Sequence, residues 1–210
     1  MTKIIATSKS GTSYEPVAAG NYVARCIKMI HYGTITEDYL GTLKTANKVQ
    51  LTWELPTELK VFKEENGEQP YVLSKDFTLS MHEKSSLRKW LEAWRGKNFT
   101  VAESEAFDIT NLVGKACMLN VIHTTKNDKT YANISGVSSM PKGLTCPEQI
   151  TDSIVFSVLD FNKELFETFP DYIKDKIKGS LEYKTMQQPN ATHTDPEPTS
   201  ANDDSDDLPF

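Results

Sequence analysis

Eight residues at the end of the chain, Asp203-Asp204-Ser205-Asp206-Asp207-Leu208-Pro209-Phe210, join four carboxylates to an apolar tripeptide. Leu208 and Phe210 can enter an apolar pocket on another protein while the Asp carboxylates meet Lys and Arg around its rim. Acidic tails also serve as solubilising ends, but solubility alone gives no reason for Leu-Pro-Phe after the acids. A docking peptide for a protein partner is the expectation. Catalytic and metal chemistry finds little footing elsewhere. Cys26 with His31 and Cys117 with His123 fall on strand-like segments, yet no pair has the close spacing of metal ligands. There is no Gly-rich phosphate loop, no nucleophile elbow and no H-E-x-x-H. Glu103, Glu105 and Asp108 read as solvated acids of a polar linker. A non-enzymatic protein with no metal and no cofactor is expected.

Charge divides the chain in two. Of 29 Asp+Glu, six (Asp195, Glu197, Asp203, Asp204, Asp206, Asp207) lie from Pro189 onward, where there is no Lys or Arg. Residues 1–188 hold 23 acids against 23 bases, so the net charge of −6 belongs to the tail. A neutral body can still carry a basic groove, because local distribution outweighs the sum, and an acidic tail can fold back onto such a groove. With 38% hydrophobic residues and 10% aromatics, the length fits one packed domain with an appendage. Cys26, Cys117 and Cys146 read as free buried thiols of a reducing compartment. No apolar run is long enough to span a bilayer, and Met1–Ser10 has no signal-peptide core. A soluble intracellular protein is expected.

The elements that must position these groups follow from periodicity. Residues 1–20 read as an irregular arm. Tyr22–His31 is strand-like, and Tyr32–Ala46 reads as a long polar loop with two glycines. Lys48–Leu55 alternates, with Val49, Leu51, Trp53 and Leu55 on one face, and Pro56 closes it. Asn66-Gly67 signals a turn before a strand over Tyr71–Met81. Leu87, Trp90, Leu91 and Trp94 predict a helix over Ser85–Arg95, stopped at Gly96. Strands over Val113–Thr124 and Thr130–Val137 follow, with a loop at Thr125–Lys129. This order, three strands, a helix and two strands, is the plan of a five-stranded OB-fold barrel. Ile154–Leu159 adds a strand-like segment, and helices over Asn162–Phe169 and Asp171–Lys178 break at Pro170. The expected organisation is an arm (1–20), a barrel (21–142), a strand and helical appendage packed on it (143–184), a disordered linker (185–202) and the docking tip (203–210).

Several segments carry a family resemblance. They are Val49-Gln50-Leu51-Thr52-Trp53-Glu54-Leu55-Pro56, Ser86-Leu87-Arg88-Lys89-Trp90-Leu91 with Trp94-Arg95-Gly96-Lys97, Leu112-Val113-Gly114-Lys115, and the tip. With them the chain resembles phage-type OB-fold single-stranded DNA-binding proteins. The tip itself is similar to that of bacterial single-stranded DNA-binding proteins, where it docks replication and repair enzymes. The resemblance covers 20–184 loosely and the last eight residues tightly. It implies a sequence-independent coat for single-stranded DNA in phage replication, recombination and repair. The tip would recruit a polymerase, helicase, primase or nuclease, and no membrane partner is implied. Self-association is left open, because the post-barrel helices depart from the bacterial pattern. The implied location is the cytoplasm of a phage-infected or prophage-carrying bacterium. The alternative is an adaptor of a replication complex whose acidic tail mimics DNA.

Binding single strands requires cations for phosphates and flat rings for bases. Arg25, Lys28, Lys44, Lys48, Lys75, Lys115, Lys126 and Lys129 are the candidate phosphate contacts. Tyr32 and Tyr39 in the first long loop and Tyr131 beside the second are the favoured stacking rings, although tyrosines at strand ends also pack internally. Tyr71 and Phe77 are weaker candidates. Trp53, Trp90 and Trp94 share apolar faces and read as core. Arg88, Lys89 and Arg95 read as the solvated face of the helix.

Overall fold

The computed structural model describes residues 15–188, except for the Tyr39 side chain; residues 1–14, most of the expected linker and the whole tip lie outside the described residues. The chain is mainly β with a few helices. Strand β1 (Gly20–Tyr39) and strand β2 (Thr42–Val61) form one long hairpin. The loop expected over Tyr32–Ala46 is therefore strand. Of the β-formers Thr34-Ile35-Thr36, Thr42-Leu43 and Thr45 only Ile35 packs on a core, so no alternation marks them. Leu40 (φ 54°) and Gly41 (φ 80°) make the two-residue turn, in the left-handed backbone that matches strand twist. Pro56 does not end β2. The β2–β3 register slips between Leu55 and Leu59, and the residue lacking an N–H falls in that irregularity.

Strand β3 (Glu68–Thr78) pairs with β2, strand β4 (Ala116–Lys126) with the start of β1, and strand β5 (Lys129–Ser138) with β4, all antiparallel. The loop expected at Thr125–Lys129 shrinks to Asn127-Asp128, with φ of 50° and 58°. The hydrogen-bonded path is β3-β2-β1-β4-β5, and strand β6 (Ile154–Ser157) runs parallel to β1. An open sheet thus stands where a closed five-stranded barrel was expected: no β3–β5 ladder is present among the described residues. The two strands nonetheless approach, since Lys75 Nζ on β3 donates to the Ile134 carbonyl on β5 at 3.1 Å.

Helix α1 (Ser86–Arg95) is capped by Ser85 Oγ, which accepts from the Arg88 amide, and ends at Gly96 (φ 69°). Its Leu87, Trp90, Leu91 and Trp94 are buried with Val49, Leu51, Trp53 and Leu55 of β2, Phe77 of β3 and Leu119 of β4. Trp53 lies 6.1 Å from Trp90 and 5.8 Å from Trp94, centroid to centroid. The tryptophans and Phe77 thus occupy core positions. The face of α1 expected to be solvated is partly engaged. Arg88 bonds Glu92 and the carbonyls of Met81 and Phe99, and Arg95 lies over the Phe99 ring at 3.9 Å and pairs with Glu103 at 2.7 Å. Glu103 and Asp108 are caps rather than loose loop acids. Glu103 closes a capping box with Thr100 on helix α2 (Val101–Glu105), and Asp108 caps the turn Ile109–Leu112.

A second core forms on the other face of β1. Ile30, Tyr32, Phe156 and Val158 pack with helices α3 (Lys163–Glu167) and α4 (Asp171–Gly179) through Phe166, Phe169, Ile173 and Ile177. Helix α5 (Leu181–Gln187) extends past Thr185, where the linker was expected to begin. The strap that leads to β6 is pinned by two cross-strand neighbours, Arg25 and Glu54. Arg25 donates to the carbonyls of Gly114, Cys146 and Pro147, at 2.7 to 3.2 Å. The fully buried Glu54 accepts the amides of Ile150 (2.6 Å) and Thr151 (3.0 Å).

Two outcomes are expected. Glu54→Ala leaves both strap amides without an acceptor, at a cost of about 1–3 kcal/mol in urea unfolding, and opens 143–153 to limited proteolysis; an unchanged midpoint would deny the pin. Burial raises the Glu182 carboxyl, but the Thr34 amide and hydroxyl, both at 2.7 Å, outweigh it and hold the group below the usual range. A lowered folded pKa adds stability that is fully present above the unfolded value of about 4.3 and is lost as pH falls through the folded one. The wild type should therefore lose more stability than Glu182→Gln on acidification below that value, and parallel curves of urea midpoint against pH would contradict this.

Candidate nucleic-acid interface

Pairing of β1 with β4 stops at Gly20 and Val121. Beyond that point β4 and β5 continue as a two-stranded ribbon, residues 122–133, almost wholly exposed. Its root is firm. Val121 and Ile134 face each other in the core, and an extra residue, Ser135, bulges beside them. His123 Nε2 bonds the Val17 carbonyl at 2.8 Å, and Asn133 Nδ2 donates to Thr124 Oγ1 at 2.6 Å.

Alternation sorts the ribbon into two faces. Val121, His123 and Thr125 continue the core side. Ile122, Thr124 and Lys126 take the other, opposite Asn133, Tyr131 and Lys129. The structure thus brings Lys126, Lys129 and Tyr131 onto one exposed surface. Tyr131 is 47% exposed and Ile122, diagonal to it, 43%. Lys126 and Lys129 stand directly opposite each other, an arrangement that repels until an anion lies between them. Asp128 is the only acid from 122 to 133. A half-exposed ring on the same face as two opposed lysines can hold a base and its flanking phosphates. Sequence reasoning misses Ile122, because a lone apolar residue beyond Val121 reads as the end of a core strand.

The other candidates do not join this surface. Tyr32 has no exposed area; its ring is enclosed by the second core and by Lys176, 5.1 Å from its centroid, so it offers no face to a base. Burial first, and then Asp76, push its phenol well above the ordinary range. Tyr39 closes β1 opposite Thr42. Arg25 is spent on the strap. Lys75 points inward, over Trp90 at 5.1 Å and onto the Ile134 carbonyl, as a clasp between β3 and β5. Lys48 pairs with Glu37 at 2.9 Å, and Lys44 stands opposite Glu37. These two lysines line an open cleft with Glu37, Asp38, Ala46 and Thr78 at the base of the β1–β2 hairpin. Lys28 is half-buried between Thr52 of β2 and Ile154 of β6, and burial lowers its pKa. Lys115 is exposed in the turn before β4. Tyr71 packs against the first core, and its hydroxyl donates to the Glu15 carbonyl. The tip residues Asp203, Asp204, Asp206, Asp207, Leu208, Pro209 and Phe210 lie outside the described residues.

The histidines and thiols have other partners. His31 is held between Ser157 Oγ (2.9 Å) and Asn47 Oδ1 (2.7 Å), and His123 holds the arm. Cys26 and Cys117 are buried, and burial raises both thiols, Cys26 to about 12. Such groups stay protonated and react poorly. No helix among the described residues is long and apolar enough to cross a membrane. Compared with known proteins, the chain matches no family model and no curated protein.

Proposed function

We propose that this chain is a non-enzymatic, largely sequence-independent single-stranded DNA-binding protein of a phage-type replication and recombination system. Its body would be an OB-type barrel, and its acidic tip would recruit a replication or repair enzyme. One observation carries the binding reading: Tyr131, Lys126 and Lys129 share one exposed face of the β4–β5 ribbon. Stacking and phosphate neutralisation are the two terms that sequence-independent single-strand binding requires. The OB reading draws support from the strand order, from α1 between β3 and β4, and from the Lys75 clasp that draws β3 towards β5. The outer faces of β1 and β2, a natural platform on such a sheet, are covered here by the strap and appendage. That cover favours the projecting β4–β5 ribbon as the binding element.

A second reading, the protein adaptor, is favoured by the other hairpin. Leu40 and Leu43 at its tip are 90% and 73% exposed. The same hairpin balances Glu37 and Asp38 against Lys44 and Lys48. A neutral ribbon with an apolar end suits a protein surface better than a phosphate backbone.

Anisotropy titrations of labelled single-stranded, duplex and RNA oligonucleotides separate the two. Lys126→Gln/Lys129→Gln should reduce the slope of log K against log salt by about 1.4, at roughly 0.7 for each single-strand phosphate that is no longer neutralised. Tyr131→Ala should weaken binding by about 1–3 kcal/mol without altering that slope. Absence of single-strand binding by the full chain would leave the adaptor reading standing. Truncation to residues 1–202 should leave or raise DNA affinity while abolishing recruitment of the partner enzyme; weaker DNA binding by the truncated chain would refute fold-back of the tail.

A further inference from the structure

Resting on the single-strand reading, we infer that a hollow on the outward face of β1, β4 and β5 takes one unstacked base of the bound strand. It lies at the ribbon root, where Asn21 pairs with Asn120 and Asn120 with Gly136. Its volume is about 150 Å³, and Asn21, Met118, Asn120, Gly136 and Ser138 line it. Pockets for whole drug-sized ligands run to roughly 300–1,000 Å³, so this one has room for a single ring system. Leu119 and Val137 point the other way, into the first core. The bulge at Ser135 restores the alternation, so Asn120 and Gly136 share the face of Ile122, Asn133 and Tyr131. Four residues of β4, about 14 Å of strand, separate Asn120 from Thr124 opposite Tyr131. On the other side the strap crosses β1 at Arg25, four positions from Asn21.

Gly136 forms the floor, and the fold does not require a glycine there. A glycine inside a strand weakens it and often marks a bulge or the close approach of a ligand. The backbone of Gly136 does not take a positive φ, so the neighbouring bulge makes no demand for it. A Cβ on it would meet only the Cβ of Asn120, at 3.8 Å, an ordinary contact. Conformation and packing therefore accept a side chain, and its absence is what keeps the hollow open. Met118 beside it supplies a polarisable thioether against which a flat ring can lie. The rim is polar. Asn120 Nδ2 donates to Asn21 Oδ1 at 2.9 Å and Ser135 Oγ to the Asn120 carbonyl at 3.0 Å, bonds that hold the amides in place. Asn21 Nδ2 and the Ser138 hydroxyl have no partner among the described residues. Bases carry acceptors along their edges, so two such donors hold a base without selecting strongly among sequences.

The test uses the full chain with Gly136→Val, beside Asn21→Ala and Tyr131→Ala. Each is titrated at low salt with a mixed-sequence oligonucleotide and with an abasic strand of equal length. Gly136→Val should raise the urea midpoint, because a β-branched residue replaces a strand glycine. It should nonetheless weaken oligonucleotide binding about three- to tenfold, the worth of one net hydrogen bond, and leave abasic-strand binding unchanged. Asn21→Ala should weaken binding of the same strand and spare the abasic one. Unchanged affinity in Gly136→Val with a loss in Tyr131→Ala overturns the hollow and leaves the single-strand reading intact. An equal loss on both strands assigns Gly136 to the path of the phosphate backbone, and a lowered urea midpoint assigns it to the fold; each overturns the base site. No binding by the unmodified chain removes the single-strand reading and the hollow together.

Discussion

The fold depends on hydrogen bonding along both edges of β1. One edge carries β2 over most of the length of β1; the other carries β4 along Gly20–Arg25 and then β6 along Lys28–His31. The change of partner coincides with a register shift between Cys26 and Lys28, and a second shift follows between His31 and Gly33. A bulge inserts a residue and re-aims the side chains that follow it. Cys26 and Met29 therefore belong to the first core and Ile30 and Tyr32 to the second. One strand thus serves as the inner wall for α1 and as the floor for α3 and α4.

The second core determines what remains available for binding. Outward residues of β2 that look like a solvated polar face are buried: Gln50 bonds Asp76, Thr52 bonds Ser74, and Glu54 holds the strap. Lys176 of α4 reaches across to Asp76 of β3, which ties the appendage to the far side of the sheet. Glu182 anchors α5 at Thr34 of the β1–β2 hairpin. The β4–β5 ribbon leaves β1 from the opposite end. Helix α5 and the ribbon therefore lie at different stretches of β1, at Thr34 and at Gly20.

What can be read from the sequence, and what cannot, follows from where partners lie. Lys48–Leu55 and Ser85–Arg95 announce themselves because each buries one regular face, and Trp53, Trp90 and Trp94 meet where those faces predict. The two ribbons read as loops because a strand exposed on both sides has no apolar alternation; only Leu40-Gly41 and Asn127-Asp128 mark their turns, and neither pair is a strong hairpin signal. The basic residues are the least readable. Arg25 finds its acceptors up to 122 residues away and Lys75 finds its own 59 residues away, distances over which no local pattern operates. Tyr32 reads as a loop ring because Gly33 follows it, whereas Gly33 permits the left-handed backbone (φ 92°) beside Val158 and Glu182 as Tyr32 turns into the second core.

A free two-stranded ribbon is marginally stable in water, so the one on β4–β5 draws its order from its root. Val121 opposite Ile134 supplies apolar burial, and His123 ties the root to the arm. Outward from there the strands are held by their backbone ladder, the Asn133–Thr124 bond and the turn, while Lys126 and Lys129 push apart. Local stability therefore falls towards the tip. For a ligand of variable sequence that gradient is useful. On the single-strand reading proposed above, the rooted end would fix where Ile122 and Tyr131 present their surface, and the weakly held end would adjust the two ammonium groups to the phosphate spacing. An anion between the two lysines would remove the repulsion that loosens the tip, so that ligand binding and ordering of the ribbon would reinforce each other.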